Sequence, residues 1–259
     1  MIDNNIIDTS FDFTEDTDGK YWNGFWDKRD GLGEGGVDPD SYSPKLRLYH
    51  KILWSKNLNG KKLILKEGKS NYDYLYSDEN GINMRFASDS LVTGFRYYGC
   101  KELHNELKRK NPNYKKEIEQ YTRLTYTIGG MIIFPKFNKT KSINQMKGFS
   151  AKVRDRVDLT IECIRRFYKN EDSPLSFSLE KNRAFFDLFE SFENYINFFF
   201  LQDLVSNDYE TTNIWIGQGD FENSPLPKNI DDYKTWVKKS TDFINKRNNR
   251  IADYIKNLK

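Results

Sequence analysis

Apolar positions along this chain change period more than once, and the changes mark out its elements. After Ser43-Pro44, the residues Leu46, Tyr49, His50 and Leu53 recur at helical spacing. Ser43 is placed to cap and Pro44 suits a first helical position, so a helix is expected from there to near Lys56, ahead of an Asn59-Gly60 turn. From 61 to 98 the period shortens. "KLILK", "YDYLY" and "INMRFAS", separated by turn residues such as Asn80-Gly81, predict a small, mostly antiparallel sheet. Residues 101–121 are charged, helix-compatible and interrupted at Pro112, whereas "YTIGGMIIFP" (126–135) is β-branched, apolar and closed by proline, as a buried strand is.

The remainder reads as helical in three pieces. Residues 143–168 form an amphipathic helix with a break at Gly148. Residues 175–205, including "AFFDLFESFENYINFFFLQDLV", form a buried helix or helix pair that is apolar nearly all round, and residues 231–257 form an amphipathic helix with Asp231 and Asp232 in its first turn. The pattern predicts an α+β fold in one domain spanning 1–259, a small N-terminal antiparallel sheet packed on a larger, aromatic-rich helical part. Residues 1–44 are an acidic irregular leader, 45–135 mixed helix and strand, and 143–259 mainly helical.

Composition adds that the core is built from Phe, Tyr and Trp, since aromatics make up 15% of the chain against 37% hydrophobic in all. The longest strongly apolar segment, Tyr195 to Val205, contains Asn197, Gln202 and Asp203 and falls far short of the ~20 residues that span a bilayer, so no membrane contact is expected. The N-terminus "MIDNNIIDTSFDF" lacks the basic and apolar regions of a secretory signal. Cys100 and Cys163 are expected to be reduced, which points to a cytoplasmic protein.

Charge is uneven beneath a net of +3. Residues 1–44 carry eleven acids against three bases, and residues 45–69 eight bases against one acid. Either these neighbours neutralise each other, or the basic segment meets phosphate groups and the acidic leader shields it until a partner arrives.

The densest charge lies in "RDRVDLTIECIRRFY", 154–168. On a helical wheel Val153, Ile161, Ile164 and Tyr168 fall within about 40° of Val157, while Arg154, Asp155, Asp158, Glu162, Arg165 and Arg166 share one flank, where Arg154 with Asp158 and Glu162 with Arg166 can pair at i,i+4. Such a face is either a solvated lattice of ion pairs or a polar network facing a cleft. In the second case Asp155, Asp158 and Glu162 are candidate catalytic carboxylates, and Arg154, Arg156, Arg165 and Arg166 candidate phosphate ligands. Arg156 stands apart on the apolar side near Thr160, Cys163 and Phe167, so its guanidinium needs a buried partner or a ligand. A second candidate is "DPDSYSPKLRLYHKILWSK". There Asp38 and Asp40 precede a helix start, Arg47 and Lys56 are basic groups suited to substrate, and His50 is a candidate acid or base. In "FASDS", Ser88, Asp89 and Ser90 can hydrogen-bond a ligand or stabilise a turn. The C-terminal helix offers Lys238, Lys239, Lys246 and Arg250 as a basic docking face, and Arg247, in step with Ile244 and Ile251, is expected to reach an acidic partner.

Common fingerprints are missing. Cys100 and His104 make only a single i,i+4 pair, which is no zinc set. Gly31, Gly33, Gly35 and Gly36 lie in an acidic stretch rather than a phosphate-binding loop, and no G-x-S-x-G occurs. The ordered stretches "DPDSYSPKLRLYHKILWSKNLNGK", "SDSL", "YTIGGMIIFP", "INQMKGFS", "DRVDLTIECIRRFY", "SPL", "FFDLF" and "FFLQDLV" resemble a family of uncharacterised bacterial proteins grouped as a domain of unknown function. The resemblance spans residues 8 to about 252 and implies a bacterial cytosolic protein of one domain; it supplies no activity. Two functions remain open. One is an enzyme acting on a phosphate-bearing substrate, a nucleic acid or nucleotide, with a divalent metal compatible and no metal ligand assigned, sited where the 38–56 segment meets the charged face of 154–166. The other is a non-catalytic binding or interaction protein with a basic docking face.

Overall fold

The computed structural model describes residues 7–17, 38–58, 60–69, 74–79, 83–95, 100–136 and 142–257. Most of the glycine-rich acidic stretch read as an irregular loop lies outside them, as do Asn59 and the Asn80-Gly81 turn. Asp38 caps a short helix α1 (Pro39–Tyr42), and Ser43 both ends α1 and caps α2 (Pro44–Trp54) by accepting from Leu46 N. Asp16 tightens that start, its carboxylate accepting from Ser43 Oγ at 2.6 Å and Lys45 N at 2.7 Å. The described part of the acidic leader therefore meets the head of α2, and also the 114–125 segment, where Asp12 pairs with Arg123 at 2.6 Å.

Strands β1 (Lys56–Leu58) and β2 (Lys61–Leu63) form a hairpin. Gly60 supplies its left-handed residue at φ 84°. A second, four-stranded antiparallel sheet runs β3 (Lys66–Glu67), β4 (Leu75–Ser77), β5 (Met84–Ser90) and β6 (Met131–Pro135) in that order, with Ser88 opposite Ile133 and Asp89 opposite Ile132. Helices α3 (Lys101–Lys110) and α4 (Tyr114–Thr125) are separated at Asn111-Pro112, where proline cannot continue a helix.

Strand β6 is buried along its whole length, as its unbroken apolar run requires. The long helix α10 (Ile230–Lys256) lies against the 128–130 turn that feeds it, so closely that a Cβ on Gly129 would come within 2.5 Å of Ile244 O. Arg247 of α10 is fully buried there. Among the described residues it reaches no carboxylate and instead donates to the carbonyls of Phe199 (2.9 Å), Ile128 (3.1 Å), Gly129 (2.9 Å) and Met131 (2.7 Å). The expected acidic partner is replaced by backbone acceptors, because the strand entry and the end of the aromatic segment both expose carbonyls to this helix.

Two further helical expectations change. The 143–168 helix is two, α5 (Ile143–Phe149) and α6 (Val157–Tyr168), joined by a turn in which Arg154 and Asp155 adopt φ 48° and 63°. The break falls after Gly148, so a single wheel does not run from Val153 to Tyr168. The aromatic segment is three short helices, α7 (Ser176–Lys181), α8 (Arg183–Phe186) and α9 (Phe192–Phe198), with Glu190 and Phe200 left-handed at the bends. Their rings interlock, Phe189 on Phe198 at 5.0 Å and Phe186 on Tyr195 at 5.7 Å, contacts between residues too far apart in sequence to meet on a single straight helix. The result is α+β, the small sheets set against an aromatic-rich helical part. Among the described residues no helix is long and apolar enough to cross a membrane.

Candidate functional site

The charged residues of 154–166 separate into two networks with different surroundings. In the first, Arg156 turns inward at the head of α6 and meets Asp158 side on, Nε to Oδ1 at 3.0 Å and Nη2 to Oδ2 at 2.5 Å, with both side chains almost fully buried. The remaining capacity of each is taken by backbone. Asp158 accepts from Leu159 N (3.0 Å) and Trp215 N (2.9 Å), and Arg156 donates to Pro225 O (3.1 Å) and Ile216 O (2.8 Å). This pair fastens the irregular 213–226 segment to α6. The expected Arg154–Asp158 pairing is not what engages Asp158, since Arg154 precedes the helix in the left-handed turn. Glu162 receives Arg165 Nε and Nη2 and Arg166 Nε, each at 2.8 Å, and Thr212 Oγ1 at 2.9 Å. Burial pushes its carboxyl up, but these donors outweigh burial and hold it below the usual range.

The second network forms because the 150–156 turn carries Asp155 away from α6. Asp155 N bonds Lys147 O at 2.9 Å, and the Asp155 carboxylate receives the Lys147 ammonium. Lys147, in step with Ile143 on the inner face of α5, is 3% exposed and reaches Asp89 Oδ2 of β5 at 2.8 Å as well. Burial alone would lower its pKa; Asp155 and Asp89 overcome that and raise it, so the amine is a fixed cation. Burial pushes Asp89 up to about 7, with Lys147 opposing and the charges of Asp155 and Asp38 adding to the rise. Asp40, which α1 brings against β5, is raised well above the ordinary carboxylate range by burial and by Asp38, Asp89 and Asp155, against the pull of Lys147.

Arg47 and His50 of α2 border this cluster. The Arg47 guanidinium lies 4.7 Å from the centre of the Tyr74 ring and donates to Ser41 O at 2.7 Å. Trp54 Nε1 donates to His50 Nδ1 at 3.0 Å, so the proton of the neutral imidazole sits on Nε2 and is given to Ser88 Oγ at 3.0 Å. Burial, helped by the charge of Arg247, lowers the His50 pKa to about 3. His50 is thus a neutral hydrogen-bond link at ordinary pH. Lys56 lies elsewhere, among rings, its Nζ 4.0 Å from the Tyr254 centroid and 5.0 Å from that of Phe198, where burial lowers its pKa to about 8. On α10, Lys238 pairs with Asp242 at 2.7 Å, Lys246 approaches Asp203 at 3.4 Å and Arg250 also pairs with Asp203, so its basic face is partly neutralised.

Of the residues expected at a site, Asp155 joins the 38–56 segment and Arg47 and His50 border the junction, whereas Asp158, Glu162, Arg156, Arg165 and Arg166 belong to the network that holds the 204–226 region. Asp40 and Asp89 were legible only as a helix-start acid and a strand-end acid. Lys147, Tyr74 and Asn144 gave no functional signal, except that Lys147 recurs in phase with Ile143, as an inward-facing residue does. Among the described residues no group of three or more His, Cys, Asp and Glu side chains is arranged to hold a metal ion.

A family model described as a family of unknown function, DUF6994, matches residues 7–251, and no curated protein and no solved structure matches the chain.

Proposed function

We propose that this chain, which belongs to the DUF6994 family, is an enzyme acting on a phosphate-bearing substrate of nucleotide or nucleic-acid type, with its reacting groups in the Asp40–Asp89–Lys147–Asp155 cluster. One observation carries the reading: carboxylates from α1, β5 and the α5–α6 turn gather around a single buried lysine, which ion-pairs with Asp89 and Asp155 while Asp40 and Asp89 are pushed up by burial and by the charge of neighbouring carboxylates. Structural ion pairs pair off, as Arg156 and Asp158 do, whereas a cluster with surplus carboxylates holds a proton near neutral pH, as a general acid or base must. In this reading Asp89 moves the proton, Lys147 holds Asp89 and Asp155 in place, and Arg47 supplies a cationic contact for the phosphate at the border of the cluster.

The test is product formation, by chromatography and mass spectrometry, on a panel of nucleotides and short oligonucleotides. The expected result is turnover that falls at least ~100-fold in Asp89→Asn while circular dichroism stays native. Absence of product from every substrate, or equal rates in Asp89→Asn, overturns the proposal. Substrate bound tightly but never converted supports a binding protein instead.

A further inference from the structure

The cluster contains more than its ion pairs, and the additional groups speak to the substrate. Tyr74, just before β4, is 1% exposed, and its hydroxyl, beside Asp40, Arg47 and Ser88, has no hydrogen bond of good geometry, Ser88 and Arg47 making only weak contacts with it. Asp40 Oδ1 is also buried without a hydrogen-bond partner. Asn144 donates through Nδ2 to Ser88 O at 3.0 Å, which fixes its amide orientation and leaves Oδ1 as a buried acceptor without a partner. Ser88 Oγ accepts the His50 proton and so keeps its own proton to donate. Buried polar atoms in folded proteins are nearly always hydrogen-bonded, and three such exceptions gathered around Ser88–Asp89 mark a place where something else supplies the bonds.

The electrostatics restrict what that is. Asp38, Asp40, Asp89 and Asp155 crowd around Lys147, and burial and their mutual repulsion already push Asp40 and Asp89 toward their protonated forms, so an anionic phosphate placed inside the cluster is disfavoured. The atoms in need of partners are a carboxyl oxygen of Asp40, an acceptor on Asn144 and a hydroxyl on Tyr74 that can donate. A vicinal diol fits that set, because its hydroxyls can donate to the Asn144 oxygen and bond the Asp40 carboxyl while one accepts from Tyr74 and the other from Ser88 Oγ.

We infer that a hydroxylated sugar ring, rather than the phosphate it bears, enters the Asp40–Tyr74–Ser88–Asn144 site, the phosphate remaining at the Arg47 border. This rests on the proposed function in assigning the phosphate, but the sugar site stands on its own geometry. The ring could be the ribose of a nucleotide or another sugar, and the ligand panel separates these.

Calorimetric titration of the full chain with AMP, 2′-deoxy-AMP, ribose 5-phosphate, glucose 6-phosphate, ribose, glucose and inorganic phosphate tests the inference. Ribose 5-phosphate or glucose 6-phosphate should bind at least tenfold more tightly than inorganic phosphate, and 2′-deoxy-AMP at least tenfold more weakly than AMP if the ring is ribose. Tyr74→Phe should weaken the sugar ligands about tenfold while leaving the unfolding temperature nearly unchanged, because its hydroxyl has only weak contacts to lose. Asn144→Ala gives a second readout of the same kind. Inorganic phosphate binding as tightly as the sugar phosphates, unaltered affinity in Tyr74→Phe, or no binding of any sugar overturns the inference. In the first of these outcomes the phosphate-enzyme reading survives. Binding of free ribose or glucose without any gain from phosphate sustains the sugar site and removes the phosphate reading.

Discussion

Removing the Arg156 guanidinium tests whether the densest charge in the chain is structural. Arg156→Met leaves Asp158, 0% exposed, with two backbone donors and no counter-charge, and strips the carbonyls of Ile216 and Pro225 of their donor. Breaking one side of a buried pair typically costs ~3–5 kcal/mol. For a chain of this size each kcal/mol lowers the unfolding temperature by about 2 °C, so a fall of about 6–10 °C is expected by circular dichroism. The damage should be local before it is global. Trp215 packs at a tilt against Trp236 with centroids 4.9 Å apart, and its amide is one of Asp158's donors, so release of the 213–226 segment should shift tryptophan emission to the red below the main transition. A cycle with Asp158→Leu isolates the pair: the double variant should cost less than the sum of the singles by about 2 kcal/mol or more, since it removes both charges together. Strictly additive losses, or an Arg156→Met variant within ~1 kcal/mol of wild type, would show the reasoning wrong.

Three other outcomes follow from the same structure. The His50 imidazole should appear by nitrogen-detected NMR as the neutral Nε2–H tautomer with no titration between about pH 5 and 8, and a midpoint near the ordinary histidine value of about 6.5 would refute the Trp54–His50–Ser88 chain. Because its folded pKa of about 3 lies below the unfolded value of 6.5, the unfolded chain takes up the proton first, so His50 should make folding less stable as the pH falls from 6.5 toward 3. Asp89 has the opposite sign: burial puts its folded pKa at about 7 against 3.8 unfolded, so the folded chain holds the extra proton and stability should fall as the pH rises from about 4 to 7. Asp89→Asn should flatten urea midpoints across that window, and an unchanged slope would count against the shift. Gly130→Ala places a Cβ 2.0 Å from Thr125 O and should cost ~2–3 kcal/mol or more, whereas Gly60→Ala, with open space but φ 84°, should cost about 1–2 kcal/mol; urea denaturation giving the reverse order would refute the close approach at β6.

What the sequence made legible was local. Ser43-Pro44 starts α2, Pro112 separates α3 from α4, and "MIIFP" is a buried strand, since cap geometry, the missing proline N–H and apolar period act within a few residues. The break between α5 and α6 depends instead on the Lys147–Asp155–Asp89 contacts, which hold Asp155 in a left-handed turn and link residues remote in sequence. The segment from α7 to α9 is dense in aromatic residues, and its bends come from rings packing between short helices, a tertiary effect that no local pattern of residues marks. Arg247 misled for another reason: it is satisfied by carbonyls, and every residue carries one, so residue identity gives no hint of the partner.

Charge density and chemical readiness therefore separate in this chain. The stretch with most charge, Arg156 to Arg166, closes on itself: Asp158 has four donors and Glu162 four, with arginine forks and backbone amides filling their oxygens. A carboxylate so occupied has little capacity left for a substrate and little reason to hold a proton. Asp40 and Asp89, remote from each other in sequence, are brought by tertiary folding into one region where burial and neighbouring carboxylates raise the pKa of both and where oxygens of Tyr74, Asp40 and Asn144 lack hydrogen bonds of good geometry. Unfilled capacity, rather than the number of charges, distinguishes the α1–β5–α5 junction from the ion-paired face of α6, and it is why the candidate chemistry moves there.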